Sequence, residues 1–210
     1  MDLSDDRPVT IRSEGLKLNG LLHLPNATPC PGIVVAHPHP QYGGDMRNLV
    51  VGALCEAAVE AGFAALRFNF RGTGRSEGAF DNGTGEQRDL AGALEFLRQQ
   101  PEIDGRAALA GYSFGAAVAL RLAPPNVLGL IAVSPPTIGD WLSNVSINSP
   151  ALFLAGDRDE YCDPNDLRTL AARLGEQAEV GILPGVDHFW VGSTDRLKDK
   201  TGSFLRKHLA

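Results

Sequence analysis

The segment Gly111-Tyr112-Ser113-Phe114-Gly115 constrains the fold more than any other part of the chain. It follows the apolar run 107–110 and precedes the alanine-rich run 116–120, a pattern that predicts a strand, an abrupt turn and a helix. Glycines flank the serine because a Cβ at either position would collide with a neighbouring strand or helix. The amide of Phe114 and the positive end of the helix dipole can both stabilise an oxyanion formed on Ser113. The segment therefore predicts a nucleophile and half of an oxyanion hole.

The rest of the chain alternates between strand and helix patterns. Two alternating runs joined at Glu14-Gly15 predict an antiparallel edge hairpin, and the short apolar run 33–36 predicts a central strand covered on both faces. The predicted strands are 9–13, 16–24, 33–36, 63–68, 107–110, 127–133, 151–155 and 180–183. The predicted helices are 48–61, 85 or 86 to 99, one directly after Ser113, 166–174 and 195–207. We expect residues 1–210 to form one α/β domain, a doubly wound, mostly parallel sheet with helices on both faces.

Two loops that follow predicted strands contain the partners that a nucleophilic serine requires. Catalytic groups in such sheets gather at the carboxyl ends of the strands. A serine hydroxyl is a poor nucleophile at neutral pH, so it needs a base within hydrogen-bond reach and a carboxylate that orients that base. His188 follows the last predicted strand and is the predicted base. The loop after strand 151–155 offers several acids, namely Asp157, Asp159, Glu160 and Asp163.

Composition excludes several classes of partner. The net charge is −6 and the pI is about 5.3, so there is no overall basic surface for nucleic acid or acidic lipids. The three cysteines are widely spaced, without Cys-x-x-Cys, and predict neither a disulfide framework nor a zinc knuckle. The amino terminus lacks the basic and apolar regions of a signal peptide, and no apolar run is long enough to span a bilayer. We expect a cytoplasmic protein with no membrane partner, and a homodimer is left open.

Two further motifs suggest bound groups but lack the residues to hold them. His37 and His39 follow a strand as in some zinc sites, but the next residues supply no additional ligand, so no metal is predicted. Gly72-Thr73-Gly74 resembles part of a dinucleotide fingerprint, but Glu77 stands where the third glycine is needed, and no cofactor is predicted. We expect this segment to be a tight turn whose Arg71 and Arg75 rim the cleft or pair with nearby acids.

With serine, acid and histidine in that order on successive loops, the chain resembles the α/β-hydrolase family over nearly its whole length. The segments 37–44 and 67–78 make it similar to a small, lidless bacterial branch, akin in size to dienelactone hydrolases. Those enzymes carry cysteine where this chain has Ser113, so only the fold and general hydrolase chemistry are implied. In the family the acid usually lies three residues past a strand-ending glycine. With Gly156 in that place, the resemblance implies Asp159, with Asp157 as the alternative.

The resemblance also frames the rest of the site. The loop after strand 33–36 is expected to supply the second oxyanion amide from His39 or Gln41, because Pro38 and Pro40 have no N–H. A lid is commonly inserted in this family after the strand that here spans 127–133, and the segment 134–150 is too short to form one. Aromatic residues on loops near the predicted mouth, expected to contact substrate, are Tyr42, Trp141 and Phe189.

These observations predict a serine hydrolase that cleaves small carboxylic esters through an acyl-enzyme on Ser113. Without a lid, binding energy should stop increasing once the acyl chain leaves the cleft, which favours acyl chains of about two to six carbons. A thioesterase or an acyltransferase would use the same triad, and some members of the fold have lost catalysis and only bind ligands. These alternatives stay open at the level of the sequence.

Overall fold

The computed structural model describes residues 6–209, which form one eight-stranded sheet with helices on both faces. The strands are β1 (Arg7–Ser13), β2 (Leu16–His23), β3 (Cys30–Ala36), β4 (Ala64–Phe68), β5 (Ile103–Tyr112), β6 (Leu130–Val133), β7 (Ala151–Gly156) and β8 (Ala178–Leu183). The α-helices are α1 (Leu49–Glu60), α2 (Thr84–Arg98), α3 (Phe114–Leu122), α4 (Pro164–Leu174) and α5 (Thr194–His208). The predicted alternation of strand and helix is confirmed.

The sheet has the strand order β1-β2-β4-β3-β5-β6-β7-β8. β1 and β2 form the predicted antiparallel hairpin at one edge, β2 pairs antiparallel with β4, and all other pairs are parallel. β3 and β5 are neighbours, yet the chain leaves β3 towards β4 and leaves β5 towards β6. Their loops therefore diverge, and the crevice between them is where ligands bind in open α/β sheets.

The core lies in two layers separated by the sheet. Helices α1 and α5 cover one face, where Val50, Leu54 and Phe204 pack against β3, β5 and β7. Helices α2, α3 and α4 cover the opposite face. The central strands are apolar at nearly every position, as expected for strands that are buried on both sides. No helix within residues 6–209 is long and apolar enough to cross a lipid bilayer.

Several predicted boundaries were wrong by a few residues. The strand predicted over 127–133 begins only at Leu130, because the Val127 amide turns back to bond the carbonyl of Pro124 at 3.4 Å. β3 and β5 begin earlier than predicted, at Cys30 and Ile103, where they pair with each other across a register shift. Periodicity does not reveal such pairing, because the residues at the start of each strand are not uniformly apolar.

Candidate active site

The turn between β5 and α3 holds Ser113 in a strained conformation. Ser113 has φ 52° and ψ −119°, a backbone geometry that residues other than glycine rarely adopt. A Cβ on Gly111 would overlap the backbone of Gly115, and a Cβ on Gly115 would overlap the carbonyls of Ala36 and His37. The predicted need for both glycines is confirmed. The close approach of Gly115 to β3 also brings the loop after β3 to the side of the serine.

Ser113, His188 and Asp159 form a continuous chain of hydrogen bonds. His188 Nε2 lies 3.1 Å from Ser113 Oγ, and His188 Nδ1 lies 2.8 Å and 3.0 Å from the two carboxylate oxygens of Asp159. Asp159 is 7% exposed and His188 is 9% exposed. An ionised carboxylate only accepts, so Nδ1 carries the proton and Nε2 is left to accept from the serine hydroxyl. The three side chains that the sequence singled out thus lie together, although 75 residues separate Ser113 from His188.

The two candidate acids, Asp159 and Asp157, have different hydrogen-bond partners. Asp159 Oδ1 also accepts from the amides of Tyr161 and Cys162, both at 3.0 Å, which fixes the carboxylate facing the imidazole. The alternative acid, Asp157, instead accepts from the amide of Gly185 at 2.7 Å, in the loop that carries the histidine. Asp157 therefore holds the histidine loop without reaching the imidazole.

The histidine loop is fastened to the sheet on both sides of His188. A Cβ on Gly156 would overlap the carbonyl of Val186, so the acid and histidine loops lie in direct backbone contact. Trp190 is fully buried and its indole N–H donates to Ser134 Oγ at 2.9 Å. The hydroxyl of Tyr112, next to the nucleophile, donates to the carbonyl of His188 at 2.7 Å. These contacts limit the positions that the imidazole can take.

His37 organises the loop after β3. It is fully buried; its Nδ1–H donates to the carbonyl of Pro38 at 2.6 Å, and its Nε2 accepts from the amide of Phe70 at 3.1 Å. Burial lowers the pKa of His37 from 6.5 to about 4, so the ring is neutral at neutral pH. Both ring nitrogens are used in hydrogen bonds to the backbone. His37 thus orients this loop, and its ring has no lone pair left for a metal.

His39 and Gln41 form hydrogen bonds within the loop that follows β3. The Gln41 amide donates to His39 Nδ1 at 3.3 Å, within the short 3₁₀ helix Pro40–Tyr42. The His39 carbonyl accepts from the amides of Tyr42 and Gly44, which closes the loop into a tight bend. The side chain of His39 lies over Phe114, with ring centroids 4.9 Å apart.

Aromatic side chains form one wall beside Ser113. Phe114 contacts the rings of Trp141 (5.6 Å between centroids), Phe80 (5.7 Å) and His39, and the Tyr42 ring lies tilted against His39 at 4.8 Å. Trp141 and Tyr42 thus belong to the group of rings beside Ser113, and their contact with substrate stays a prediction. Phe80 was missed, because it follows a polar turn and belongs to no periodic pattern.

A second aromatic pair flanks the histidine. Phe189 lies 5.8 Å from the His188 ring, and Tyr161 lies 4.8 Å from it on the opposite loop. Phe189 was among the predicted contact residues, whereas Tyr161 was not. Its position directly after the acid loop was the available signal.

The segment 134–150 between β6 and β7 contains turns and bends but no helix or strand, so it forms no lid over the site. It is held down on α3 instead. The guanidinium of Arg121 lies 4.3 Å above the Trp141 ring and bonds the carbonyls of Asp140 and Trp141. The predicted absence of a lid is confirmed.

Arg71 does not rim the cleft. The segment 72–74 forms the predicted tight turn, with glycines at φ 72° and 58°. The side chain of Arg71 turns inward and makes two hydrogen bonds, of 2.8 Å and 3.0 Å, to the fully buried Asp89, which raises the pKa of Arg71. Arg71 thus pairs with an acid, as one alternative predicted. Arg75 forms no ion pair with any acid among residues 6–209. It lines a separate groove of about 660 Å³ beside β1 and β2.

Comparison with known proteins identifies the family. The model of the X-Pro dipeptidyl-peptidase family (S15) matches residues 14–158, a span that includes the strained serine turn and ends one residue before Asp159. The chain belongs to the S15 family. This S15 family member is 36% identical over 192 residues to the uncharacterized protein RP471 of Rickettsia prowazekii. The alignment covers 86% of this chain and 79% of that relative.

Solved structures place this S15 family member among lidless α/β serine hydrolases. It resembles XC6422 from Xanthomonas campestris, described as an α/β serine hydrolase without lid, with 32% identity and a TM-score of 0.88 over 100% of this chain and 97% of that one. It also resembles an α/β serine hydrolase homologue from Coxiella burnetii, with 31% identity and a TM-score of 0.86 over 95% and 97%. The predicted fold, an α/β-hydrolase without a cap domain, is confirmed.

Proposed function

We propose that the protein hydrolyses small carboxylic esters, with Ser113 as nucleophile, His188 as general base and acid, and Asp159 as the carboxylate that orients His188. The observation that carries this proposal is the unbroken chain of bonds from Ser113 Oγ through His188 to Asp159, at 3.1 Å and 2.8 Å. The strained backbone of Ser113 supports it, because strain of this kind persists where function requires it.

Acylation would begin when Ser113 Oγ attacks the ester carbonyl carbon and its proton passes to His188 Nε2. The C=O π electrons move onto the carbonyl oxygen, which becomes an oxyanion in a tetrahedral intermediate. When that intermediate collapses, the bond from carbon to the alcohol oxygen breaks, and the leaving oxygen takes the proton from His188. The products are a free alcohol and an acyl-Ser113 ester. Asp159 keeps its charge throughout and stabilises the imidazolium.

The oxyanion would be bound by two backbone amides. The Phe114 amide lies at the amino end of α3, where it has no intrahelical partner and the helix dipole is positive. For the second amide we favour His39 over Gln41, because the Gln41 N–H already donates to His39 Nδ1. The bond from the Phe70 amide to His37 and the bond from His37 to Pro38 would hold this loop in place without taking part in the reaction.

Deacylation repeats these steps with water. His188 Nε2 takes a proton from water as the water oxygen attacks the acyl carbon, and the proton then returns to Ser113 Oγ as the acyl bond breaks. A carboxylic acid is released. The open mouth suits this step, because solvent reaches the acyl-enzyme without a conformational change.

The family match provides a second candidate, the release of Xaa-Pro dipeptides by cleavage of the peptide bond that follows proline. The same triad would serve, because only the leaving group differs: an amine takes the proton from His188 instead of an alcohol. The match covers the nucleophile but neither Asp159 nor His188, so it supports the fold and the serine chemistry more than peptide specificity.

Labelling with a fluorophosphonate, followed by a substrate panel, tests the proposal. The wild-type protein should be labelled and Ser113→Ala should not be, with circular dichroism as the control for folding. The panel compares p-nitrophenyl butyrate, a butyryl thioester and Ala-Pro-p-nitroanilide. We expect kcat/KM to be highest on the ester and to fall by about 10³-fold or more in Ser113→Ala. Absence of labelling in the folded wild-type protein would indicate a ligand-binding protein. The highest rate on the thioester would indicate a thioesterase, and the highest rate on the anilide would indicate a peptidase.

A further inference from the structure

The proposed chemistry fixes where the two halves of an ester must lie. His188 Nε2 has to hand its proton to the leaving oxygen, so the alcohol part extends from the side of the site that carries the imidazole. The acyl part extends in the other direction, towards the wall around Phe114. What surrounds His188 therefore decides which alcohols can leave.

Two aromatic rings flank His188, and they come from different loops. Tyr161 follows the acid loop and lies 4.8 Å from the imidazole, while Phe189 follows the histidine itself and lies 5.8 Å from it. Both residues are about half exposed, at 48% and 58%. Core packing therefore does not account for them.

The backbones that carry these rings are fixed. The Tyr161 amide donates to Asp159 Oδ1 at 3.0 Å, and the Tyr161 carbonyl accepts from the amide of Thr137 at 3.0 Å. The Phe189 amide donates to Asp187 Oδ1 at 3.0 Å, and the next residue, Trp190, is locked in the core. Exposed rings on a fixed backbone are organised in advance for a ligand, since little ordering remains to be done on binding.

The opposite wall differs in kind. There the Phe114 ring is buried and contacts the rings of Trp141, Phe80 and His39. Within residues 6–209, Tyr161 and Phe189 each contact no aromatic ring other than His188. A flat aromatic group could stack on them or meet them edge to face, whereas a saturated ring of the same size gains only burial.

We propose that Tyr161 and Phe189 form a leaving-group subsite that selects esters of aromatic alcohols, such as benzyl or phenol-type alcohols. This inference rests on the proposed esterase function and adds the class of alcohol to it. The two residues bind the substrate and are not expected to transfer protons.

Benzyl acetate and cyclohexylmethyl acetate provide a matched pair of substrates. Their alcohols are similar in size and basicity and differ mainly in the aromatic face, so the ratio of their kcat/KM values isolates that face. An aromatic contact of about 0.5–1.5 kcal/mol corresponds to about two- to twelvefold. We expect the wild type to prefer benzyl acetate by about three- to tenfold, and Phe189→Leu and Tyr161→Leu each to lower that preference by about two- to fivefold.

Trp141→Leu is the matched control on the acyl wall. It should change the dependence on acyl chain length but leave the benzyl to cyclohexylmethyl ratio as in the wild type. Retained fluorophosphonate labelling shows that each variant is folded with an intact triad, and Phe189→Leu decides the matter if Tyr161→Leu does not fold. A wild-type ratio near one, or a ratio unchanged in Phe189→Leu, overturns the subsite while leaving the esterase proposal standing. Loss of the esterase proposal itself would show as absent labelling or as an active Ser113→Ala.

Discussion

Acidification should destabilise the protein through His37. The ring is fully buried and neutral, and burial holds its pKa at about 4, against 6.5 for a free histidine; the Pro38 carbonyl and Asp45 oppose this only in part. The folded protein therefore resists protonation that the unfolded chain accepts. His37 contributes its full stability above pH 6.5, and this contribution is lost as the pH falls from 6.5 towards 4.

The size of this effect follows from the pKa. One pH unit corresponds to about 1.4 kcal/mol per proton, so lowering the pKa of His37 from 6.5 to about 4 removes about 3 kcal/mol of unfolding free energy between pH 7 and pH 4. For a domain with a net stability of about 5–15 kcal/mol, this is a large fraction. The same protonation would break the bond from the Phe70 amide, because a charged imidazole has no acceptor at Nε2.

Urea denaturation at several pH values tests this in the wild type and in His37→Gln, whose side-chain oxygen can still accept from the Phe70 amide. The variant should have a lower free energy of unfolding than the wild type at pH 7. The free energy of unfolding of the wild type minus that of the variant should then fall by about 3 kcal/mol as the pH is lowered to 4. The carboxylates are the same in both proteins, so their contributions to the pH dependence of stability cancel in this difference. His23→Gln is a control for the other buried histidine whose pKa is about 4. A difference that stays constant across the range would refute the reasoning.

The remaining predictions concern turnover. Asp159→Asn should lower kcat by about 10³–10⁴-fold, because the wrong tautomer of His188 is favoured. Asp157→Asn should lower kcat by less than about threefold, since its amide oxygen still accepts from the Gly185 amide. Steady-state kinetics on one ester measures both effects, and equal losses would contradict the assignment of the acid. Across p-nitrophenyl esters, kcat/KM should rise up to about six acyl carbons and then level off, because each methylene contributes about 0.8 kcal/mol only while it is buried. A continued rise beyond ten carbons would show that something covers the site.

The residues of the candidate site were largely readable from the sequence, because each of them is under local constraints. Ser113 stands between two glycines that the turn requires, and His188 and Asp159 follow apolar runs that predict buried strands. Each signal lies within a few residues of the group it identifies. The alternation of strand and helix, and hence the fold class, was readable for the same reason.

What the sequence did not reveal depends on contacts between distant segments. Tyr161 beside His188, and Arg71 turned inward onto Asp89, are set by how loops and helices meet after the sheet has formed. Strand order determines such neighbours, and periodicity carries no information about strand order.

The spacing of the triad along the chain also has a consequence for biosynthesis. The ribosome makes Ser113 75 residues before His188, and the base reaches the serine only after β8 has joined the sheet beside β7. Under the proposed mechanism, a chain that ends before His188 has no base to activate Ser113. Reactivity would then require the whole of the sheet, up to and including β8.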